Sequence, residues 1–140
     1  MTMKNTCILH VEDDENDILL LRLAFKDAGI DNPLRHVTDG EEAIRYLAGI
    51  PPFGDRKEFP LPGLVLLDLK LPRKSGFEVL EWIREQPALK QVPVVVFCSW
   101  AGKSDVEQAS KLGSDALILK PMDVHKYREF ARRLKTLWLA

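Results

Sequence analysis

Four apolar runs in this sequence end on side chains that can do chemistry. Glu12-Asp13 follows Thr6 to Val11, Asp68 follows Leu64 to Leu67, Cys98-Ser99 follows Val94 to Phe97, and Lys120 follows Ala116 to Leu119. An acid placed directly after four apolar residues, as Asp68 is, adds nothing to a core strand. Carboxylates brought to one edge repel, so something cationic should hold them together. Oxygen-only donors in an open site suit Mg²⁺, which keeps several waters and takes one or two carboxylates together with phosphate oxygens. A carboxylate beside Mg²⁺ can also act as a nucleophile and form an aspartyl-phosphate. The Lys120 ammonium would neutralise phosphoryl oxygens, as lysines do at other phosphoryl-transfer sites. Asp14, Glu15 and Asp17 have a simpler reading, since acids in the first turn of a helix complement its dipole.

These residues share an edge only if the apolar runs are parallel strands. The runs are Thr6 to Val11, Leu34 to Thr38, Leu64 to Leu67, Val94 to Phe97 and Ala116 to Leu119. The last three are almost continuously apolar, as strands buried on both faces of a parallel sheet are. Amphipathic stretches lie between them. Asp39 to Glu42, Ser75 to Glu78 and Ser104 to Glu107 each have capping-box spacing. Gly29 and Gly113 supply helix stops, and Tyr127, Phe130, Ala131, Leu134, Leu137 and Trp138 make a stripe on the last helix. Five repeats of strand then helix predict a doubly wound α/β domain, in which ligands bind beyond the carboxyl ends of the strands. One segment, Gly49 to Gly63, is too rich in proline and glycine for regular structure and reads as a solvated surface loop.

Composition agrees with one domain over residues 1–140. The chain has 140 residues, 20 basic against 21 acidic, and is 46% hydrophobic, which suits a single core and excludes a disordered chain. A net charge of -1 argues against binding nucleic acid through bulk charge. Cys7 and Cys98 form neither a disulfide framework nor a CxxC pair, and both read as buried reduced thiols. The N-terminus is not a signal peptide and no apolar run is as long as a membrane span, so a cytoplasmic protein without direct membrane contact is expected.

Val-Glu-Asp-Asp at 11 to 14, Leu-Leu-Asp-Leu-Lys-Leu-Pro at 66 to 72 with Gly76, and Lys-Pro at 120 and 121 resemble a response regulator receiver domain. Order and spacing match over essentially the whole chain. The Gly49 to Gly63 loop and the Leu-Trp-Leu ending are similar to small stand-alone regulators associated with bacterial phytochrome kinases. The resemblance implies a flavodoxin-like sheet of order 2-1-3-4-5 with five helices, and no effector domain. It implies that Asp68 takes a phosphoryl group from a phosphohistidine on a sensor histidine kinase. Asp13 and Asp68 would ligate Mg²⁺ with the backbone carbonyl of Lys70, and Glu12 would act through water. Lys120 would contact the phosphoryl group, Pro72 and Gly76 would shape the loop after Asp68, and Lys120-Pro121 would be cis. The domain would catalyse only its own phosphotransfer and dephosphorylation. It would signal through protein contacts or drain phosphate.

Two positions depart from that pattern. The family's switch threonine or serine falls on Cys98, and a thiol is a poor hydrogen-bond donor. Ser99 could replace it only if the loop shifts, because adjacent strand residues point oppositely. Leu117 stands where the family often has a rotating aromatic. Signalling would then travel by another route, and a receiver-like module that binds partners without phosphorylation is the alternative. Cys98 as a reactive thiolate is the less favoured reading. A flavodoxin-like FMN carrier fails on the acids after the first strand, and a nucleotide hydrolase lacks GxxxxGK[ST]. A haloacid-dehalogenase-like phosphatase would need a second acid where Lys70 stands. The basic outer face of the last helix (Lys126, Arg128, Arg132, Arg133, Lys135) and the tail Leu137 to Ala140 point to a homodimer contact through the fourth or fifth helix and tail.

Overall fold

A computed structural model of the chain describes residues 6–139. The apolar runs become five parallel strands: β1 (Cys7–Val11), β2 (Leu34–Val37), β3 (Pro62–Leu67), β4 (Val94–Cys98) and β5 (Ala116–Leu119). Their order in the sheet is β2-β1-β3-β4-β5, as expected. The chain leaves β1 for β2 on one side and returns past it to β3 on the other. The reversal point where such sheets bind ligands therefore lies between β1 and β3. Register aligns the strand ends. Val11 pairs with both Val37 and Leu67, Leu67 with Val96, and Cys98 with Leu119, so Glu12, Asp68, Cys98 and Lys120 emerge from one edge.

Five helices cover the two faces: α1 (Glu15–Asp27), α2 (Gly40–Ala48), α3 (Gly76–Glu85), α4 (Lys103–Lys111) and α5 (Val124–Trp138). Strand residues alternate between faces. Ile8, Leu66, Val95 and Phe97 meet Leu21 and Phe25 of α1 and Tyr127, Phe130 and Leu134 of α5. Leu9, Val11, Val65 and Leu67 meet Tyr46 and Leu47 of α2 and Val79, Leu80 and Ile83 of α3. β1, β3 and β4 are buried almost throughout, whereas β5 is only half-buried because it is an edge strand beneath the short helix α4. Continuous apolarity overstated its burial.

The caps follow the sequence with one exception. Asp39 accepts from the amide of Glu42 and Ser75 from that of Glu78. The Ser104–Glu107 box does not form, because α4 begins two residues earlier, at Lys103. There the Asp105 carboxylate accepts from the amide of Gly102 at 3.0 Å. The loop between α2 and β3 is less solvated than expected. Phe53 and Phe59 pack edge-on to each other with ring centroids 5.1 Å apart, and both pack on Tyr46. Arg56 donates to the carbonyls of Tyr46, Leu47 and Phe59, closing the C-terminal end of α2. The tail also differs from expectation: Leu139 is buried and Trp138 packs on the α1/α5 core, leaving Leu137 as the exposed apolar residue. Ala140 lies outside the described residues.

Candidate functional site

The β1–α1 junction supplies the first acids. Asp14 caps α1, its Oδ1 accepting from the amides of Asn16 and Asp17 at 2.8 and 3.1 Å. This leaves Glu12 buried below the cap and Asp13 exposed above it. Glu12 Oε2 is held by the amide of Asp14 at 3.2 Å. Asp68 extends β3 by one residue, and its amide donates to the carbonyl of Val11 at 3.2 Å, which ties the two strand ends together. Carboxylate oxygens of Glu12, Asp13 and Asp68 all lie within 4.8 Å of one another. That is a hard, oxygen-only donor set with an exposed side, the kind that suits Mg²⁺ or Mn²⁺.

Lys120 enters this cluster from β5. Its Nζ lies 2.6 Å from Glu12 Oε1, 2.9 Å from Asp17 Oδ2 and 3.0 Å from Asp68 Oδ2. Burial alone would lower its pKa, but the three carboxylates reverse the effect and hold the ammonium charged. Burial pushes the Glu12 carboxyl up to about 7, with the charge of Asp68 adding to the rise and Lys120 opposing it. The acids are thus already organised around one positive charge. Among the described residues the only cis peptide bond is Pro51–Pro52, so Lys120–Pro121 is trans, contrary to expectation. Trans is the form an X–Pro bond favours by about 0.5–1 kcal/mol. The Lys120 amide donates to the carbonyl of Cys98 at 2.7 Å, so the strand end is held without a cis bond.

Asp17 is the residue that sequence reasoning undervalued. Its Oδ2 pairs with Lys120 and its Oδ1 accepts from the Tyr127 hydroxyl at 3.1 Å, joining α1, β5 and α5. Acids in a first turn are so often dipole partners that nothing local marked it. Its place one helical turn after Asp13, facing the sheet edge, was the available signal.

The loop after Asp68 is shaped by close approach. A Cβ on Gly76 would collide with the carbonyl oxygen of Asp68, and the Gly76 amide donates to the carbonyl of Leu69 at 2.9 Å. Arg73, in the same loop, adopts a φ of 69°, a strained value for a residue with a side chain. The Lys70 amide donates to Asp68 Oδ1 at 3.3 Å, and its ammonium lies 5.4 Å from the ring centroid of the exposed Trp100. Cys98 is buried at the end of β4, packed with Leu69, Val96 and Ala109 and flanked by Leu117 and Phe77. Burial, reinforced by the charge of Asp68, pushes its thiol pKa up, so it is a protonated thiol and not a reactive thiolate. Ser99 follows and is exposed.

A buried acid pair at the reversal point, an exposed third acid and a lysine that reaches the ends of β1 and β3 make up one charged edge of a doubly wound domain. The response regulator receiver domain model matches residues 8–132, and the chain belongs to that family. Response regulator Rcp1 of Synechocystis sp. is 33% identical over 132 residues, covering 94% of this chain and 88% of the relative. The crystal structure of the phosphorylated cyanobacterial phytochrome response regulator RcpA is similar with a TM-score of 0.89 at 31% identity, covering 97% of this chain and 95% of that one. The Mn²⁺-bound form of Rcp1 superposes with a TM-score of 0.85 at 32% identity, over 96% and 94% of the two chains. Among the described residues, no helix is long and apolar enough to cross a membrane.

Proposed function

We propose that Asp68 is a phosphoacceptor and that the chain relays a signal from a sensor histidine kinase. The observation that carries this reading is the position of Lys120 Nζ, within 3.0 Å of Glu12, Asp17 and Asp68 at once. A carboxylate oxygen of Asp68 attacks the phosphorus of a phosphohistidine and the P–N bond breaks, its electron pair staying on the ring, which leaves as neutral imidazole because its other nitrogen already carries a proton. Lys120 pairs with the phosphoryl oxygens and gives up part of its hold on the acids, so its position reports phosphorylation. Asp13, Asp68 and the backbone carbonyl of Lys70 would hold Mg²⁺, with Glu12 acting through water. The cation would supply positive charge to the phosphoryl oxygens. The names of RcpA and Rcp1 support a phytochrome-type kinase as the partner.

Cys98 occupies the place of a hydroxyl that would grip the phosphoryl group, and Leu117 that of a rotating aromatic. The Asp68–Lys120 limb therefore carries the switch, and Ser99 contributes only if its loop moves inward. Incubation with Mg²⁺ and beryllofluoride, followed by Trp100 emission, tests the reading. A response in the parent protein and none in Asp68→Asn is expected. No response in the parent would leave a module that binds partners without phosphorylation.

We also propose a homodimer contact on the β5–α5 side. Leu119, Met122, Val124 and Leu137 are exposed there, Met122 to 90%, beside a groove of about 310 Å³ between β5 and α5. Because Trp138 and Leu139 belong to the core, point substitution is a cleaner test than truncation. Leu119→Glu with Leu137→Glu should lower the mass in solution from dimer to monomer. A monomer before substitution would refute the contact.

A further inference from the structure

His10 is 1% exposed in the middle of the sheet, and neither of its ring nitrogens has a hydrogen-bond partner. A polar ring buried in this way carries a stability cost that an aliphatic side chain at the same place would not. Its neighbours are apolar on one side, with the Phe97 ring centroid 6.5 Å away. On the other side its Nε2 faces Glu12 Oε1 at 4.0 Å. Residues two apart on a strand share a face, so this approach is built into β1. Glu12 Oε1 is held at present by Lys120 Nζ at 2.6 Å, and its remaining lone pair has no other partner. The two groups therefore face each other: an imidazole with no partner on either ring nitrogen, and a carboxylate oxygen whose present partner is Lys120.

We propose that His10 is a positioning residue for the acidic cluster, its Nε2–H being the donor that Glu12 Oε1 takes when Lys120 withdraws. This rests on the reading of Glu12, Asp13 and Asp68 as a divalent-cation site. Lys120 is the positive charge shared by the acids. A divalent cation held by the acids would repel the Lys120 ammonium, and Asp17, which binds it at 2.9 Å, is the partner left to it outside the cluster. His10 would then be the nearest protein side chain left beside Glu12 Oε1, apart from the site itself. A shift of about 1 Å turns the 4.0 Å approach into a hydrogen bond of ordinary length. That bond would keep the Glu12 carboxylate aimed at the site when its other partner has gone.

The test uses the full chain and Mg²⁺ alone. His10→Leu should melt no lower than the parent without metal, because it removes an unpartnered polar ring. It should bind Mg²⁺ about tenfold more weakly, as loss of a hydrogen bond to a charged group would require. His10→Gln, which keeps a donor, should recover most of the affinity. In the parent protein the His10 Nε2–H proton resonance should move downfield and exchange more slowly on Mg²⁺ addition, a measurement that needs no variant to fold. An unmoved resonance, His10→Leu binding as tightly as the parent, or His10→Gln no better than His10→Leu would each overturn the proposal. If the parent binds no Mg²⁺, the cation site itself falls, and the role of His10 with it.

Discussion

Lys120 Nζ and Asp17 Oδ2 stand 2.9 Å apart across 103 residues of chain. The contact gives Lys120 a partner outside the acids that would hold a cation. Asp17 is in turn fixed by the Tyr127 hydroxyl, so the first turn of α1 offers the lysine a defined resting place beside the site. Glu12 and Asp68 are buried and depend on the same ammonium.

Lys120→Met should therefore destabilise the protein by about 3 kcal/mol, the cost of leaving buried carboxylates facing each other without a cation. Chemical denaturation with and without Mg²⁺ checks this. The loss should shrink when Mg²⁺ is present, and a loss independent of Mg²⁺ would count against the shared cation site.

Glu12 makes stability depend on pH in a direction unusual for an acid. Its pKa rises from 4.5 to about 7 on folding, so between those values the folded state binds more protons than the unfolded one. Without metal, stability should fall as pH rises through that window, by at most about 1.4 kcal/mol per pH unit. Glu12→Gln should flatten the fall in melting temperature between pH 5 and pH 8 in EDTA. Mg²⁺ affinity should run the other way and strengthen as Glu12 deprotonates.

Cys98 should resist alkylation in the folded protein and react only on unfolding, because it is buried and its pKa is raised. Cys98→Thr places a hydroxyl donor at the end of β4. It should tighten beryllofluoride binding several-fold, read from Trp100 emission, at little cost in stability. Unchanged binding would mean that the β4 end does not reach the phosphoryl group.

Arg56 closes α2 through the carbonyl oxygens of Tyr46 and Leu47 and ties the loop to it through that of Phe59. Arg56→Ala should cost about 2 kcal/mol in urea unfolding, since charge-assisted hydrogen bonds are lost and helix-end carbonyls are left open. Metal affinity should not change, because the loop lies beyond the α2 end of the fold and not at the acidic edge.

Most of the architecture was legible in the sequence because it is local. Apolar runs of strand length mark the five strands; capping spacings, the Gly29 and Gly113 stops and the apolar stripe on the last helix mark the five helices. The acids and the lysine could be set on one edge because each directly follows an apolar run. The misplaced features were those with two local solutions. Asp105 capped α4 from Gly102 in place of the Ser104 box, β5 proved an exposed edge, and Lys120–Pro121 is trans. Trp138 and Leu139 looked like interface from their position but fold back onto the core.

The sequence by itself determined which side chains end the strands, and so the chemical kind of site this protein can have. Only the tertiary structure decided how they are shared. Lys120 serves Glu12, Asp17 and Asp68 together, and His10 faces Glu12 without a bond. The Lys120 contacts depend on strand order and register, which bring together residues 52 to 108 positions apart. They also depend on burial, which turns an ordinary acid into one that titrates near neutrality. Neither is a property of any short stretch of chain.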